Sequence, residues 1–528
     1  MVDPTPTVES PSGKPVNTIT RGHITSPPLP EDRVVKPLLA GSLVLALTLT
    51  ASAANPLPRS APEAQGVSSA AVLAFIDAAD QKVDVMNSFM LVRHGNVVAE
   101  GWWTPYDAKT RHELYSLSKS FTSTAVGMAV ADGKLSIDDT VMSFFPDDAP
   151  KDATANLKNM RVRDLLCMSA GHQSEVALNP TLKDPWTKAF LNHPVPFKPG
   201  THFLYNTPAT YMQSAIVQKV TGKTVLDYLK PRLFDPLGID EPTWGTSPQG
   251  VNLGGYGLNV RTEDIAKFGQ LYLQKGKWGD KQLVPAEWVA MATSKQTSNG
   301  SNPKSDWDQG YGFQFWRCRN GAFRGDGAFG QYCVVLPEQD AVIAITSGTG
   351  NMQRVLDLVW DVLLPGLKKE ALPADEAGSK KLKDKLAGLS VPVPAGKKNA
   401  RIPNDAGAVD YKFGANDQKV ESLALHFNAN GGGVTLVSKI NGTERKLACG
   451  EGEWRQGSMA FGTGAEQPVA ASGAWTADDT YTAKVVMYET PFIATLTFKF
   501  ADGKLEYEAK RNVGFGANAA VKLTGEKK

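Results

Sequence analysis

Two strand-rich stretches stand at opposite ends of a long helical region, and their placement constrains the fold more than any other feature. The first, SFMLVRHGNVVAEGWW at 88–103, reads as a hairpin, with two apolar strands around the turn His94, Gly95, Asn96. The second runs from Tyr311 to Ser347 and holds several short apolar strands. Between them lie helical patterns: SKSFTSTAVGMAVAD, predicted as an amphipathic helix closed by Gly133; a helix running to Gly222; and a capped helix ending in Gly276. Strands at both ends with helices between them do not form alternating parallel units. The order predicts an α+β fold, an antiparallel sheet packed by helices.

Past residue 367 the pattern changes. KKEALPADEAGSKKLKDKLAGLSVPVPAGKK predicts a short charged helix and a proline-spaced linker over 368–399. In FIATLTFKFADGKLEYEAKR, Phe492, Ala494, Leu496, Phe498 and Phe500 alternate with Thr495, Thr497 and Lys499. An Asp-Gly turn then leads to Leu505, Tyr507 and Ala509, so a half-buried hairpin is expected. With LALHFNANGGGVTLVSKI and TAKVVMYE, this predicts a small all-β barrel or sandwich over 400–525. The hydrolytic machinery argued below falls within 56–367.

With 528 residues the chain exceeds one core, and 56 Lys and Arg against 54 Asp and Glu leave a net charge of +2. No basic stripe stands out, so nucleic acid and anionic membrane surfaces are not indicated as partners. Residues 1–32 are polar and proline-rich and predict a disordered leader. Arg33 and Lys36 then precede an apolar run from Leu38 to Leu49 and the small residues Ala51, Ser52 and Ala53. That is the order of a secretory signal over 33–53, cleaved after Ala53, and it predicts a periplasmic or secreted protein with no membrane span in the mature chain. An uncleaved N-terminal anchor and a start codon assigned too far upstream are the alternatives.

Four cysteines, Cys167, Cys318, Cys333 and Cys449, match no zinc spacing. Export permits disulfides, and Cys318 with Cys333 is the pair to test. Three antiparallel strands over 313–335 put them on the outer two, about 9–10 Å apart across the middle strand. A bridge needs Cα atoms within about 7 Å, so none is expected.

The chain lacks GxSxG, HExxH and a complete phosphate loop, and its seven histidines form no metal-spaced cluster. It does carry SxxK at Ser116 and Lys119, within ELYSLSKSFTSTAVG. A second match, Ser301 and Lys304, falls in NGSNPKSD, where proline argues against a helix. At Ser116 a strand-like HELY passes into a helix, and residues i and i+3 share one face about 5–6 Å apart. A hydroxyl is a poor nucleophile until a base takes its proton. Lys119 serves as that base only when neutral, and burial and a helix N-terminus both lower its pKa. On spacing alone, helix capping by Ser116 or Ser118 is the more ordinary explanation.

Tyr205 stands where a strand-like Phe203–Tyr205 enters a helix and is placed to relay a proton, or to pack with its hydroxyl on a carbonyl. Glycines 325, 327 and 330 sit inside apolar strands, where a close approach of backbone to ligand or a β-bulge explains them.

Ser116, Leu117, Ser118 and Lys119, then Tyr205, then Gly325, Asp326 and Gly327 fall in the order of the serine β-lactamase and penicillin-binding-protein superfamily. The chain resembles its class C-like branch of esterases, D-amino-acid peptidases and nylon-oligomer hydrolases. VRDLLCMSAGH, PGTHFLY and GLNVRTEDIAKFG extend the resemblance over about residues 60–365. It implies an antiparallel sheet flanked by helices with a helical subdomain across the cleft. It further implies Ser116 as nucleophile, Lys119 as base, Tyr205 in proton transfer, and the N–H groups of Ser116 and Ala328 as oxyanion hole. Asn206, Asp326, Gly327 and Gln331 would border the substrate, with no metal or organic cofactor.

Two positions depart from that family. Tyr205-Asn206-Thr207 stands where Tyr-x-Asn is common, and Gly-Asp-Gly stands where the third motif begins with Lys or His. Asp326 would repel a substrate carboxylate unless Arg317, Arg319 or Arg324 compensates. The expectation is therefore an exported hydrolase of small esters or amides that works through an acyl-enzyme. A β-lactamase or D-Ala-type peptidase, a non-catalytic ligand sensor, and a chain whose β domain carries the function are the alternatives.

Overall fold

The computed structural model describes residues 56–397, 410–427, 433–460 and 465–528. The expected leader and signal, 1–53, and residues 398–409 lie outside the described residues.

Six strands form the central sheet: β1 (Met86–Arg93), β2 (Asn96–Trp102), β3 (Trp316–Arg317), β4 (Phe323–Gly327), β5 (Gln331–Leu336) and β6 (Ala341–Ser347). Their order is β2-β1-β6-β5-β4-β3, all antiparallel, so the hairpin lies directly against the distant strand cluster. Met90 faces Ala344 and Leu91 faces Ile343 across that junction. The hairpin turn uses His94 (φ 48°) and Gly95 (φ 75°), the two left-handed residues that match the twist of paired strands.

Every residue of β1 and β6 is buried because both faces of the sheet are covered. Phe89 and Leu91 pack with Phe75 and Ile76 of α1 (Ser69–Lys82), whereas Met90 and Val92 join a second core on the other face. That second core holds α2 (Ser118–Ala131), α3 (Thr207–Thr221) and α4 (Thr262–Leu273). Each large apolar side chain fully buried there contributes about 1.5–3 kcal/mol relative to exposure.

The sequence pattern predicts α2 as amphipathic, yet it is buried from Ser118 to Ala129. Its hydroxyls are spent on neighbouring segments: Ser118 Oγ accepts from the Leu258 N–H at 3.2 Å, Ser120 donates to the Gln314 carbonyl at 2.8 Å and Thr122 to that of Gly254 at 2.8 Å. Phe121 stacks on Phe268 of α4, with centroids 3.8 Å apart. A Cβ at Gly127 would collide with the Trp288 indole, so this helix needs a glycine at mid-length despite its cost in propensity.

The charged stretch forms α5 (Glu376–Ala387), which packs on α1 and β2 through Leu382 and pairs Lys385 with Asp77 and Asp80.

Ten further strands form one antiparallel sheet. In chain order these are β7 (Tyr411–Phe413), β8 (Val420–Phe427), β9 (Val434–Ile440), β10 (Thr443–Cys449), β11 (Arg455–Met459), β12 (Gln467–Ala477), β13 (Thr480–Val486), β14 (Ile493–Ala501), β15 (Lys504–Arg511) and β16 (Val521–Lys527). Leu496, Phe498 and Phe500 point inward, and Asp502 (φ 52°) and Gly503 (φ 73°) make the turn to β15. Spatially the order is β10-β9-β8-β7-β16-β15-β14-β13-β12-β11, and the residue after β10 reaches β12, next to the far end, where the Gly473 N–H donates to Gly450 O at 2.8 Å. Of barrel and sandwich, the chain adopts a nearly closed barrel.

The barrel docks beside the turn that holds Ser116. Glu113 N–H donates to Glu489 O at 2.9 Å, Tyr106 to Thr490 O at 3.2 Å, and the Asn512 amide to Gly348 O at 3.0 Å. All four cysteines are free and buried. Cys318 belongs to one core and Cys333 to the other, so the sheet itself separates the pair that the sequence singles out.

Candidate active site

The chain reaches Ser116 by an abrupt change of direction. A two-residue strand, His112–Glu113, pairs with Leu258–Val260, and Tyr115 then takes a left-handed φ of 47°. A 3₁₀ turn over Tyr115–Leu117 follows before α2 begins at Ser118. The strand is thus shorter than HELY suggests, and Ser116 lies in the tight turn rather than in the helix. Leu114 and Leu117 are fully buried on either side, which leaves Ser116 facing an open cavity.

Lys119, one turn further on and 1% exposed, aims its amine back at that serine. Nζ lies 3.0 Å from Ser116 Oγ, 2.9 Å from the Gly255 carbonyl and 3.3 Å from Thr207 Oγ1. Burial lowers the Lys119 pKa to about 7, against the opposing pull of the Glu175 and Asp326 charges. A near-neutral amine in contact with a hydroxyl can accept its proton. Gly255 makes room for this, since a Cβ there would meet Thr207 at 2.6 Å and the lysine amine at 3.4 Å. Neither Gly255 nor its carbonyl was legible as part of a site; the run of glycines at 254, 255 and 257 was the available signal.

The Tyr205 ring lies 4.9 Å from Lys119 Nζ and stacks on Trp316, with centroids 5.3 Å apart. Burial, with the Asp326 charge, raises the pKa of its hydroxyl, against the opposing pull of Ser116. The phenol therefore stays protonated and can donate.

The glycines of this strand are required by packing within the chain. A Cβ at Gly325 would strike Leu117 and Ser120, and one at Gly327 would strike the Leu114 carbonyl. The close approach is of β4 to the Ser116 turn. The following turn holds Ala328, which borders the cavity, and Phe329 at φ 67°. Tyr115 and Phe329, the left-handed neighbours of Ser116 and Ala328, pack edge to face with centroids 5.8 Å apart.

Asp326 does not present an unpaired charge to the cleft. Arg324 Nη2 lies 2.7 Å from its Oδ2 and Nε donates to the same oxygen at 2.9 Å, both residues being buried. Arg317 instead donates to the Thr293 carbonyl, and Arg319 pairs with Asp306 and Asp357. Arg324 cancels Asp326 without offering a free cation to substrate.

Asn206 and Gln331 are likewise turned inward. The Asn206 amide accepts from Ala209 N at 3.3 Å as the cap of α3 and meets His172 Nδ1 at 3.2 Å, while Thr207 borders the cavity. Gln331 donates to the carbonyls of Ala328 at 3.0 Å and Ser347 at 2.8 Å. It braces the Ala328 turn.

The cavity itself encloses about 470 Å³ between the Ser116 turn, the start of α3 and the barrel. Glu113 and Glu175 border it, and among the described residues no Lys or Arg does. Burial raises the Glu113 pKa to about 7. A larger cavity of about 630 Å³, between β2 and α5, includes neither Ser116 nor Lys119.

A serine in a strained turn, a buried amine of depressed pKa and a protonated phenol define a hydrolase of the serine class. The family model described as Beta-lactamase matches residues 75–362, more than half of the chain, and the chain belongs to that family. Among curated relatives it is 24% identical to the "Putative D-alanyl-D-alanine carboxypeptidase" of Escherichia coli K12, over 38% of this chain and 57% of that protein. It is 29% identical to the lovastatin esterase of Penicillium rubens, over 24% of this chain and 38% of the esterase. The chain thus spans less than two thirds of these relatives' own length. The solved structure titled "Putative 6-aminohexanoate-dimer hydrolase from Bacillus anthracis" shares the fold at a TM-score of 0.50 and 19% identity, over 61% of this chain and 89% of that one.

Proposed function

We propose that the chain is an exported serine hydrolase that cleaves small esters or amides through an acyl-enzyme. The observation that carries this is the 3.0 Å contact between Ser116 Oγ and a lysine amine whose pKa burial lowers to about 7.

In the proposed sequence, neutral Lys119 takes the Ser116 proton as Oγ bonds to the substrate carbonyl carbon. The developing oxyanion is received by the N–H groups of Ser116 and Ala328, and the Tyr205 hydroxyl passes a proton to the departing oxygen or nitrogen. Lys119 hands its extra proton to Tyr205; water then attacks the acyl-Ser116 ester, gives a proton through Lys119 to the departing Ser116 Oγ and releases the acid. Substrates with a carboxylate near the scissile bond, such as β-lactams and D-Ala peptides, fit less well, since Glu113 and Glu175 border the cavity and, among the described residues, no Lys or Arg does.

The test is a panel of p-nitrophenyl esters, nitrocefin and D-alanyl anilides on wild type, Ser116→Ala and Lys119→Met, with fluorophosphonate labelling. Short esters are cleaved by wild type and by neither variant, and the label maps to Ser116. Nitrocefin turning over faster than every ester would reverse the substrate assignment, and ligand binding without an adduct would make the chain a sensor. Export rests on the order of Arg33, Lys36, the Leu38–Leu49 run and Ala51 to Ala53. N-terminal sequencing of the fractionated protein checks it, with a mature start just after Ala53 expected.

A further inference from the structure

Among the described residues three large apolar side chains are exposed: Tyr256 at 37%, Phe427 at 44% and Phe515 at 69%. Two of the three, Tyr256 and Phe515, border the Ser116 cavity. Soluble surfaces rarely leave aromatic rings together in water unless something covers them.

Phe515 does not belong to the hydrolase part of the chain. It sits in the β15–β16 connection of the barrel, between Gly514 and Gly516 (φ 76°). One side of its ring is anchored, 5.7 Å from the Tyr115 centroid and 4.8 Å from that of Phe329. The same connection lies over the end of the barrel, where Gly514, Phe515 and Asn518 border a second cavity of about 280 Å³ together with the inward-facing Ala494 and Tyr507. Phe515 therefore stands between the barrel and the reacting serine, held from behind and open in front.

We propose that Phe515 is a specificity-determining residue of the hydrolase: with Tyr256 it receives the apolar or aromatic part of the substrate, so the barrel supplies one wall of the site. This rests on the Ser116 hydrolase reading above. The exposed ring gives up its hydration when an alkyl or aryl group covers it, a gain a short substrate cannot collect. The carboxylates of Glu113 and Glu175 on the same cavity disfavour an anionic group there.

Two ester series test it on wild type, Phe515→Ala and Phe515→Leu. One varies the acyl group, p-nitrophenyl acetate against octanoate; the other varies the alcohol, ethyl acetate against 2-naphthyl acetate. In Phe515→Ala, kcat/KM for the bulky member of at least one series falls about 10-fold, through KM, while its small partner changes less than about threefold. That tenfold fall corresponds to about 1.4 kcal/mol, and the responding series tells whether acyl or alcohol occupies the wall. Phe515→Leu recovers most of the loss. Bulky-to-small ratios unchanged within threefold in both series, with Tm preserved, overturn the inference and leave the Ser116 reading intact. Hydrolysis persisting in Ser116→Ala overturns the underlying reading and this inference with it.

Discussion

Tyr115 and Phe329 both hold left-handed backbone, at φ 47° and 67°, and their rings meet edge to face 5.8 Å apart. Each precedes or follows one of the two N–H groups assigned to the oxyanion, those of Ser116 and Ala328. Non-glycine residues in this region each cost about 1–3 kcal/mol, and the mutual packing of the rings holds both turns in place. Phe329→Ala removes that support. The expected result is a stability loss of about 2–3 kcal/mol and a kcat lower by about 10- to 100-fold for short and long esters alike. Thermal melts and an ester panel separate this uniform loss from the selective one expected at Phe515.

The pH dependence follows from Lys119. Its pKa is lowered by burial to about 7, with Glu175 and Asp326 opposing, and the amine must be neutral to accept the Ser116 proton. Below about pH 7 the base is protonated and idle, so kcat/KM rises with pH through that value and levels off above it. Glu113 borders the same cavity and also titrates near 7. The Glu113→Gln variant retains the ascending limb if Lys119 is its source; a limb that disappears would assign it to the carboxylate.

Arg324 and Asp326 form a buried ion pair at 2.7 Å. Asp326→Asn removes the countercharge of a fully buried guanidinium, which also lies 4.5 Å from the Trp307 ring. Breaking such a pair costs about 3–5 kcal/mol. Denaturant melts of Asp326→Asn and of Arg324→Met with Asp326→Leu check this, with the double variant more stable than the single one.

The four cysteines are buried and unpaired, with Cys318 and Cys333 in opposite cores. A thiol reagent is expected to find no reactive group in the folded protein and four after unfolding, with identical melts in reducing and oxidising buffer. Two missing thiols after unfolding would indicate a bridge.

Within the candidate site the residues of fixed local spacing were the legible ones. Ser116 and Lys119 lie one turn apart in sequence and in space, but spacing alone fits helix capping equally well, and it was the order of Ser116, Lys119, Tyr205 and the 325–327 triplet, resembling a known family, that nominated all three. Asn206, Asp326 and Gln331 were nominated as substrate contacts, but their polar groups are taken by Ala209 and His172, by Arg324, and by the carbonyls of Ala328 and Ser347. A side chain's type in a motif does not say which neighbour will claim it.

The sequence by itself determined the antiparallel sheet, from strands at both ends of a helical insert, and the β domain, from the strict alternation of Leu496, Phe498 and Phe500 with polar residues. Both are set by which face of a local element must leave water. Tertiary structure alone decided that Tyr115 and Phe329 turn left-handed together, that Gly255 receives the Lys119 amine, and that Phe515 arrives from the barrel. Those outcomes depend on burial and hydrogen bonding between segments far apart in the chain, and no local pattern of residues records which distant segment completes a cavity or desolvates a charge.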